Sequence, residues 1–193
     1  MAWGKLGSTT ATGTVNSLDS PTYTGNVSQQ ILYHDFAVTG GNMESLKFNN
    51  SGSATVYAFR GSRNGATDST PVNQSMIQTN DSAFGESFAV IYVCAVVGQE
   101  KLVIGFEYDG NTTVGTPYIN RHTFVGKFIP STDAPITKVA LDSEDGNRTY
   151  AVKSNISVLG SDAGNFDVQD GAVFYEKDTN KEYILNNDVW SEL

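Results

Sequence analysis

A chain of 193 residues can bury a substantial core without disulfide or metal staples, and its single cysteine excludes an intrachain disulfide. Only 17% of residues are charged, glycine is frequent and Ser, Thr and Asn are abundant, which favours strands and turns over helices. The formal net charge of -9 excludes a protein that draws its affinity from lysine and arginine on phosphates, so no nucleic-acid partner is expected.

The opening "MAWGKLGSTTATG" lacks the apolar centre of a signal peptide, so synthesis in a host cytoplasm without secretion is expected. "SQQILYHDFAV" alternates, with Ile31, Tyr33 and Asp35 on one face and Leu32, His34 and Phe36 on the other. "SLKFN" puts Leu46 and Phe48 on one side, and "TVYAFRG" sets Val56, Ala58 and Arg60 against Tyr57 and Phe59, with "NNSGS" as the turn between. A polar loop follows that contains Asn64-Gly65, a strong turn pair because both residues tolerate the left-handed conformation.

"ESFAVIYVCAVVGQEKLVIGFEYDG" reads as an antiparallel hairpin broken at Gly98-Gln99-Glu100. Its first arm is apolar on both sides, as a strand covered on both faces would be. The second alternates through Leu102, Ile104, Phe106 and Tyr108 and can show one face to water. Cys94 sits among apolar neighbours and is expected to be a buried, inert thiol. The apolar run 88–97 is about half of what a membrane span needs, so no membrane association is expected. "RHTFVGKFIP", "ITKVALDS" and "SNISVLG" give three further short strands, and no stretch of a dozen residues carries helical periodicity with caps.

After Gly160 the composition changes. "SDAGNFDVQDG" is a polar connector, and "DGAVFYEKDTNKEYILNNDVWSEL" is a closing hairpin turned by "EKDTNK". Val173 and Tyr175 share a face of its first arm, Tyr183 and Leu185 a face of the second. A lone hairpin is marginal in water, so this one is expected to dock on the sandwich or on something outside the chain.

Little in the chain suggests chemistry. His34 and His122 have no aligned partner and no nucleophile motif beside them, and read as structural histidines. Asp142, Glu144, Asp145 and Asn147 are oxygen ligands of the calcium-binding kind, but their spacing departs from the loop pattern and a solvated turn is the simpler reading. Gly4, Gly7 and Gly40-Gly41 sit in turn contexts and cradle no phosphate; no pair of carboxylates stands out for glycoside hydrolysis. No catalytic residue, metal or cofactor is therefore expected, and the chain is not expected to be an enzyme. Among the aromatics, Trp3 and Trp190 lie near the two ends, and Tyr57, Tyr118 and Phe124 lie near loops where they could stack on a sugar.

The segments "MAWGKLGSTT", "LKFNNSGSATVYAFRGSRNG", "EKLVI", "VGKF" and "ITKVAL…SNISVLG" resemble small virion proteins of tailed viruses, many of them marine, and the closing segment resembles short hairpin units of phage fibre and structural proteins. The resemblance implies a β-sandwich carried on the virion.

The expectations are these. The fold is all-β, an antiparallel two-sheet sandwich of the jelly-roll kind over 1–160, followed by a connector and C-terminal β-hairpin over 161–193. The function is that of a virion structural protein, a capsid decoration (cement) protein on the outer shell, with a fibre or carbohydrate-binding module for host attachment as the alternative. The partners are the major capsid protein or other virion proteins, copies of itself in a symmetric oligomer, a trimer, and in the alternative a surface glycan. The interface residues are Trp3, Phe174, Tyr175, Tyr183 and Trp190, because aromatics supply large buried area with few rotors to freeze.

Overall fold

The computed structural model describes residues 3–24, 28–39, 44–53, 55–72, 74–80, 86–96, 98–110, 119–130, 134–143, 149–161, 171–176, 179–186 and 189–193, and no helix occurs among them. Twelve strands build two sheets: β1 (Trp3–Thr10), β2 (Leu18–Asp19), β3 (Ser28–Thr39), β4 (Glu44–Phe48), β5 (Tyr57–Arg63), β6 (Ile77–Asn80), β7 (Glu86–Cys94), β8 (Lys101–Gly110), β9 (Ile119–Phe128), β10 (Val139–Ser143), β11 (Thr149–Tyr150) and β12 (Asn155–Ser161). The large sheet runs β1-β12-β3-β7-β8-β9-β5 with β11 beside β3, and the small sheet runs β2-β10-β4-β6. Every pairing is antiparallel.

Setting aside β5, β8, β9 and β11 leaves β1-β12-β3-β7 in one sheet and β2-β10-β4-β6 in the other. That interleaving of early and late strands is the pair of Greek keys of a jelly roll. The expected sandwich is therefore what the chain forms, and β8, β9 and β5 extend one sheet beyond β7.

The core lies between the sheets. Ile31, Tyr33, Ile91, Val93, Ile156 and Val158 of the large sheet and Leu18, Leu46, Phe48, Ile77, Val139 and Leu141 of the small one are all buried. Full burial of such side chains contributes roughly 1.5–3 kcal/mol each. An aromatic group ties the extension to the small sheet. Tyr57 of β5 stacks on Phe128 of β9 at 4.8 Å between centroids, and Phe48 of β4 lies 5.5 Å from Phe128. The Phe48 amide donates to the Tyr57 hydroxyl at 2.9 Å, and burial pushes that phenol up to about 12.

The turns use the chemistry that the sequence offers. Asn64 and Gly65 both have positive φ, 52° and 77°. The Asn64 side chain binds across to β9, donating to Asn120 Oδ1 at 2.8 Å and accepting from the Arg121 amide at 2.9 Å. Asn49, with φ 53°, accepts from the amides of Thr137 and Lys138 and donates to the Pro135 carbonyl, which pins the segment before β10. Gly4 and Gly7 lie within β1 rather than in turns, at and beside its register shift.

Two further expectations, on β7 and Cys94, are corrected, and the orientation of β8, left open by the sequence, is fixed. β7 is covered on one face only: Ala89, Ile91 and Val93 are buried, whereas Phe88 and Tyr92 are exposed on the other side. Cys94 belongs by alternation to that second face and is exposed, not buried. In β8 the apolar set points outward, and Lys101, Val103, Gly105, Glu107 and Asp109 point inward.

The closing segment makes its own sheet, β13 (Val173–Glu176), β14 (Lys181–Asn186) and β15 (Val189–Glu192). The expected hairpin is β13–β14, and β15 adds a third strand that carries Trp190. Among the described residues these strands pair only with one another.

Candidate functional site

Antiparallel register sets the side chains of β7, β8 and β9 in rows. Cys94 lies opposite Leu102 and Lys127, Tyr92 opposite Ile104 and Val125, Val90 opposite Phe106 and Thr123, and Phe88 opposite Tyr108 and Arg121. All of these rows face away from the small sheet. Paired residues share a face, so β-branched and aromatic side chains stack into one apolar surface three strands wide. Its larger members, Phe88, Tyr92, Leu102, Ile104, Phe106, Tyr108 and Val125, are each 38% to 55% exposed. At roughly 200 Å² for a large side chain these fractions amount to about 600 Å² of apolar surface, the upper end of what a monomer ordinarily shows in one patch. Arg60 of β5 and Arg121 and Lys127 of β9 flank it. Lys127 pairs with Glu100 at 3.0 Å and Arg60 with Asp68 at 2.5 Å.

The inward side of β8 explains how the strand tolerates this orientation. Lys101, fully buried, donates to the carbonyls of Val96 and, at 2.9 Å, Gln99. Glu107 accepts from the Tyr33 hydroxyl, which also lies 3.3 Å from the Thr79 hydroxyl, itself donating to the Glu44 carbonyl at 3.2 Å. Asp109 faces Arg63 at 3.8 Å. Phe124 lays its ring over Gly105, where a side chain would collide with it. Lys101, Glu107 and Asp109, the charged groups that β8 turns inward, thus each have at least one partner, which lowers the cost of burying them. Burial, reinforced by the charges of Glu107 and Glu44, holds the Tyr33 phenol well above its ordinary range. This cluster is closed to solvent: Glu44, Tyr33, Thr79 and Glu107 are buried to within 1%.

Of the residues singled out in the sequence, Trp3 joins the apolar face. It pairs with Ser161, in the row that continues through Ser28 and Cys94 to Leu102, and it lines a shallow cleft with Tyr92, Leu102 and Ile104. Phe174, Tyr183 and Trp190 come together on one face of the third sheet, Phe174 lying 6.2 Å from Tyr183 and 6.1 Å from Trp190, edge-on to the latter. Tyr175 lies on the opposite face, bonded to Asn180 at 2.7 Å. That sheet buries Leu185 but leaves Phe174, Tyr175 and Trp190 about half exposed.

The remaining candidates are dispersed. His122 is buried on the inward side of β9. His34 is on β3, with its side chain outside the described ones. Tyr57 and Phe124 are buried in the core, so neither offers a ring to a sugar, and Tyr118 lies outside the described residues. Asp142 is bonded by Lys47 at 2.6 Å; Glu144, Asp145 and Asn147 lie outside the described residues. Among the described residues no group of three His, Cys, Asp or Glu is placed to hold a metal.

The outward apolar face went unread in the sequence because its members look like core. Its one signal was β8 itself, where the alternative inward set contains Lys101, Glu107 and Asp109 and the strand can be turned either way. Compared with family models, with curated proteins and with solved structures, the chain finds no match.

Proposed function

We propose that this chain is a non-enzymatic structural protein of a virus particle, a decoration protein that binds and stabilises the outer capsid shell. The observation that supports the reading is the uncovered apolar face of β7–β9 on the jelly roll, a surface of the kind that an assembly would cover. The virion setting rests on the resemblance of "LKFNNSGSATVYAFRGSRNG", "EKLVI" and their companion segments to virion proteins of tailed viruses. Trp3, at the start of β1 and beside the apolar face, and the aromatic residues of β13–β15 are the attachment points of this reading.

Stabilisation follows from linkage. A protein that binds the assembled shell and not its separated parts shifts the equilibrium towards the shell by an amount that grows with its free concentration over its dissociation constant. Hundreds of copies acting together need only modest contacts each. The test is a reconstruction of the purified particle. Density for this jelly roll repeated over the shell lattice supports the reading. A handful of copies at a fibre or tail tip assigns the chain to host attachment and glycan binding, and absence from the particle overturns the virion setting.

A further inference from the structure

We propose that the β13–β15 sheet of one copy packs, by its Phe174–Trp190 face, on the outward face of β7–β9 of a second copy. Each surface lacks what the other supplies. The face of β7–β9 is an apolar strip three strands wide and four rows long. The terminal sheet is also three strands wide, with strands of four to six residues. At about 4.8 Å between strands and 3.4 Å per residue the footprints match. A strip of about 600 Å² of apolar surface with a polar border is also what one partner brings to a standard interface of about 800 Å² per side, whose core is roughly two-thirds apolar.

Charged groups border both surfaces. Residues 171–193 carry five carboxylates against two lysines, among them Glu176 and Glu192 in the same rows of the sheet as Phe174 and Tyr183 or next to them. The border of the β7–β9 face carries three cations, Arg60, Arg121 and Lys127, of which Arg60 is paired with Asp68 and Lys127 with Glu100. Exchange of exposed pairs of this kind for carboxylates of the tail would set orientation more than affinity.

The connection has the reach. β12 ends at Ser161, in the row that crosses to Cys94 and Leu102, so the chain leaves the jelly roll at the margin of the apolar face. Residues 162–170 span at most about 30 Å when extended. Within the single chain both surfaces stay exposed, so it is a second copy that covers them. The contact is head-to-tail, and such contacts close into rings where the rotation between copies allows it, the trimer expected from the sequence being one, and run on into filaments where it does not. The inference concerns the purified protein alone and does not depend on where a particle carries it.

The experiment uses two full-length variants: a face variant, Ile104→Asp with Phe106→Asp, and a tail variant, Phe174→Asp with Trp190→Asp. Wild type is expected to sediment as a multiple of 20.7 kDa. Each variant alone is expected to be monomeric, with self-association weakened at least a hundredfold. Mixed in equal amounts they are expected to form a complex of two chains, because the face variant keeps its tail and the tail variant its face. Cys94, the single thiol and part of the face, reports the same event: its reaction with a maleimide slows in the mixture and not in the tail variant alone. Should either aspartate pair fail to fold by circular dichroism, Tyr92→Ser and Phe174→Ser replace them. A monomeric wild type, including one whose Cys94 is shielded by its own tail, overturns the proposal. So does a tail variant that still assembles, which means face-to-face packing, or a mixture that stays monomeric.

Discussion

β12 carries Ile156 and Val158 towards the small sheet, where both are buried, and leaves Asn155 and Ser157 on the other side. β8 does the reverse: Leu102, Ile104, Phe106 and Tyr108 point away from the interior, and Lys101, Glu107 and Asp109 point into it. Both strands alternate with a period of two, so alternation alone does not say which side is inside. What distinguishes them is the company inside. The interior facing β8 supplies turn carbonyls for Lys101, the Tyr33 hydroxyl for Glu107 and Arg63 for Asp109, whereas the interior facing β12 is apolar. The jelly roll proper is thus held by a dry core, and its extension by a buried polar layer with its apolar side exposed.

Substitutions on the two sides of the extension test that division, starting with the largest expected effect. Phe48→Ala removes a ring that lies 5.5 Å from Phe128 in the dry core and is expected to cost about 3–5 kcal/mol by urea unfolding. Gly105→Ala places a Cβ 2.1 Å from the Phe124 ring, on the inward side of β8. It is expected to cost about 1–3 kcal/mol, since the buried Phe124 ring must shift to make room, whereas Gly52→Ala, in open space, changes the melting temperature little.

The interior has a pH signature as well. Burial raises the phenols of Tyr57, to about 12, and of Tyr23 and Tyr33. A group whose pKa is raised on folding gives its full stabilisation below its unfolded value, about 10 for tyrosine, and loses it as the pH climbs through the folded one. The unfolding free energy from urea titrations is therefore expected to hold steady up to about pH 10 and then fall, by up to about 1.4 kcal/mol per pH unit for each buried tyrosine, with Tyr57→Phe giving a shallower decline. A flat profile to the onset of base unfolding refutes this account. The smallest effect belongs to the outer face: Ile104→Ser, measured at concentrations where the chain is monomeric, is expected to change stability by no more than about 0.5 kcal/mol. A loss of several kcal/mol there means that the face is buried within the single chain and the division is false.

Much of the architecture was legible. Low charge, β-branched runs and Asn-Gly turns announced an all-β sandwich, the break at Gly98-Gln99-Glu100 marked the β7–β8 hairpin, and Leu46 with Phe48 pointed to the core as expected. The candidate site was legible only at its edges, through Trp3 and the terminal aromatics. Cys94 and the outward set of β7 were misassigned because apolarity was taken to mean burial; the orientation of β8 was left open, because Tyr33, whose hydroxyl lets Glu107 turn inward, stands 74 residues away from it in the chain. The strand order was hidden for the same reason: β12 pairs with β1 and β3 through contacts that no local pattern encodes.

That placement of β12 between β1 and β3 also sets a schedule. The β7–β8–β9 meander needs only neighbours in sequence and can form as soon as residue 128 has emerged, but the large sheet stays split until β12 arrives. Local pairings form early and long-range ones late. At roughly 5–20 residues per second, synthesis from the end of β9 to the end of β12 takes about 2–7 s, during which the meander is apolar on its outer face and still uncapped on its inner one. The apolar face that stays exposed in the finished molecule is therefore exposed from the moment the meander forms, and crowding of nascent chains on one messenger is where premature association of this protein would begin.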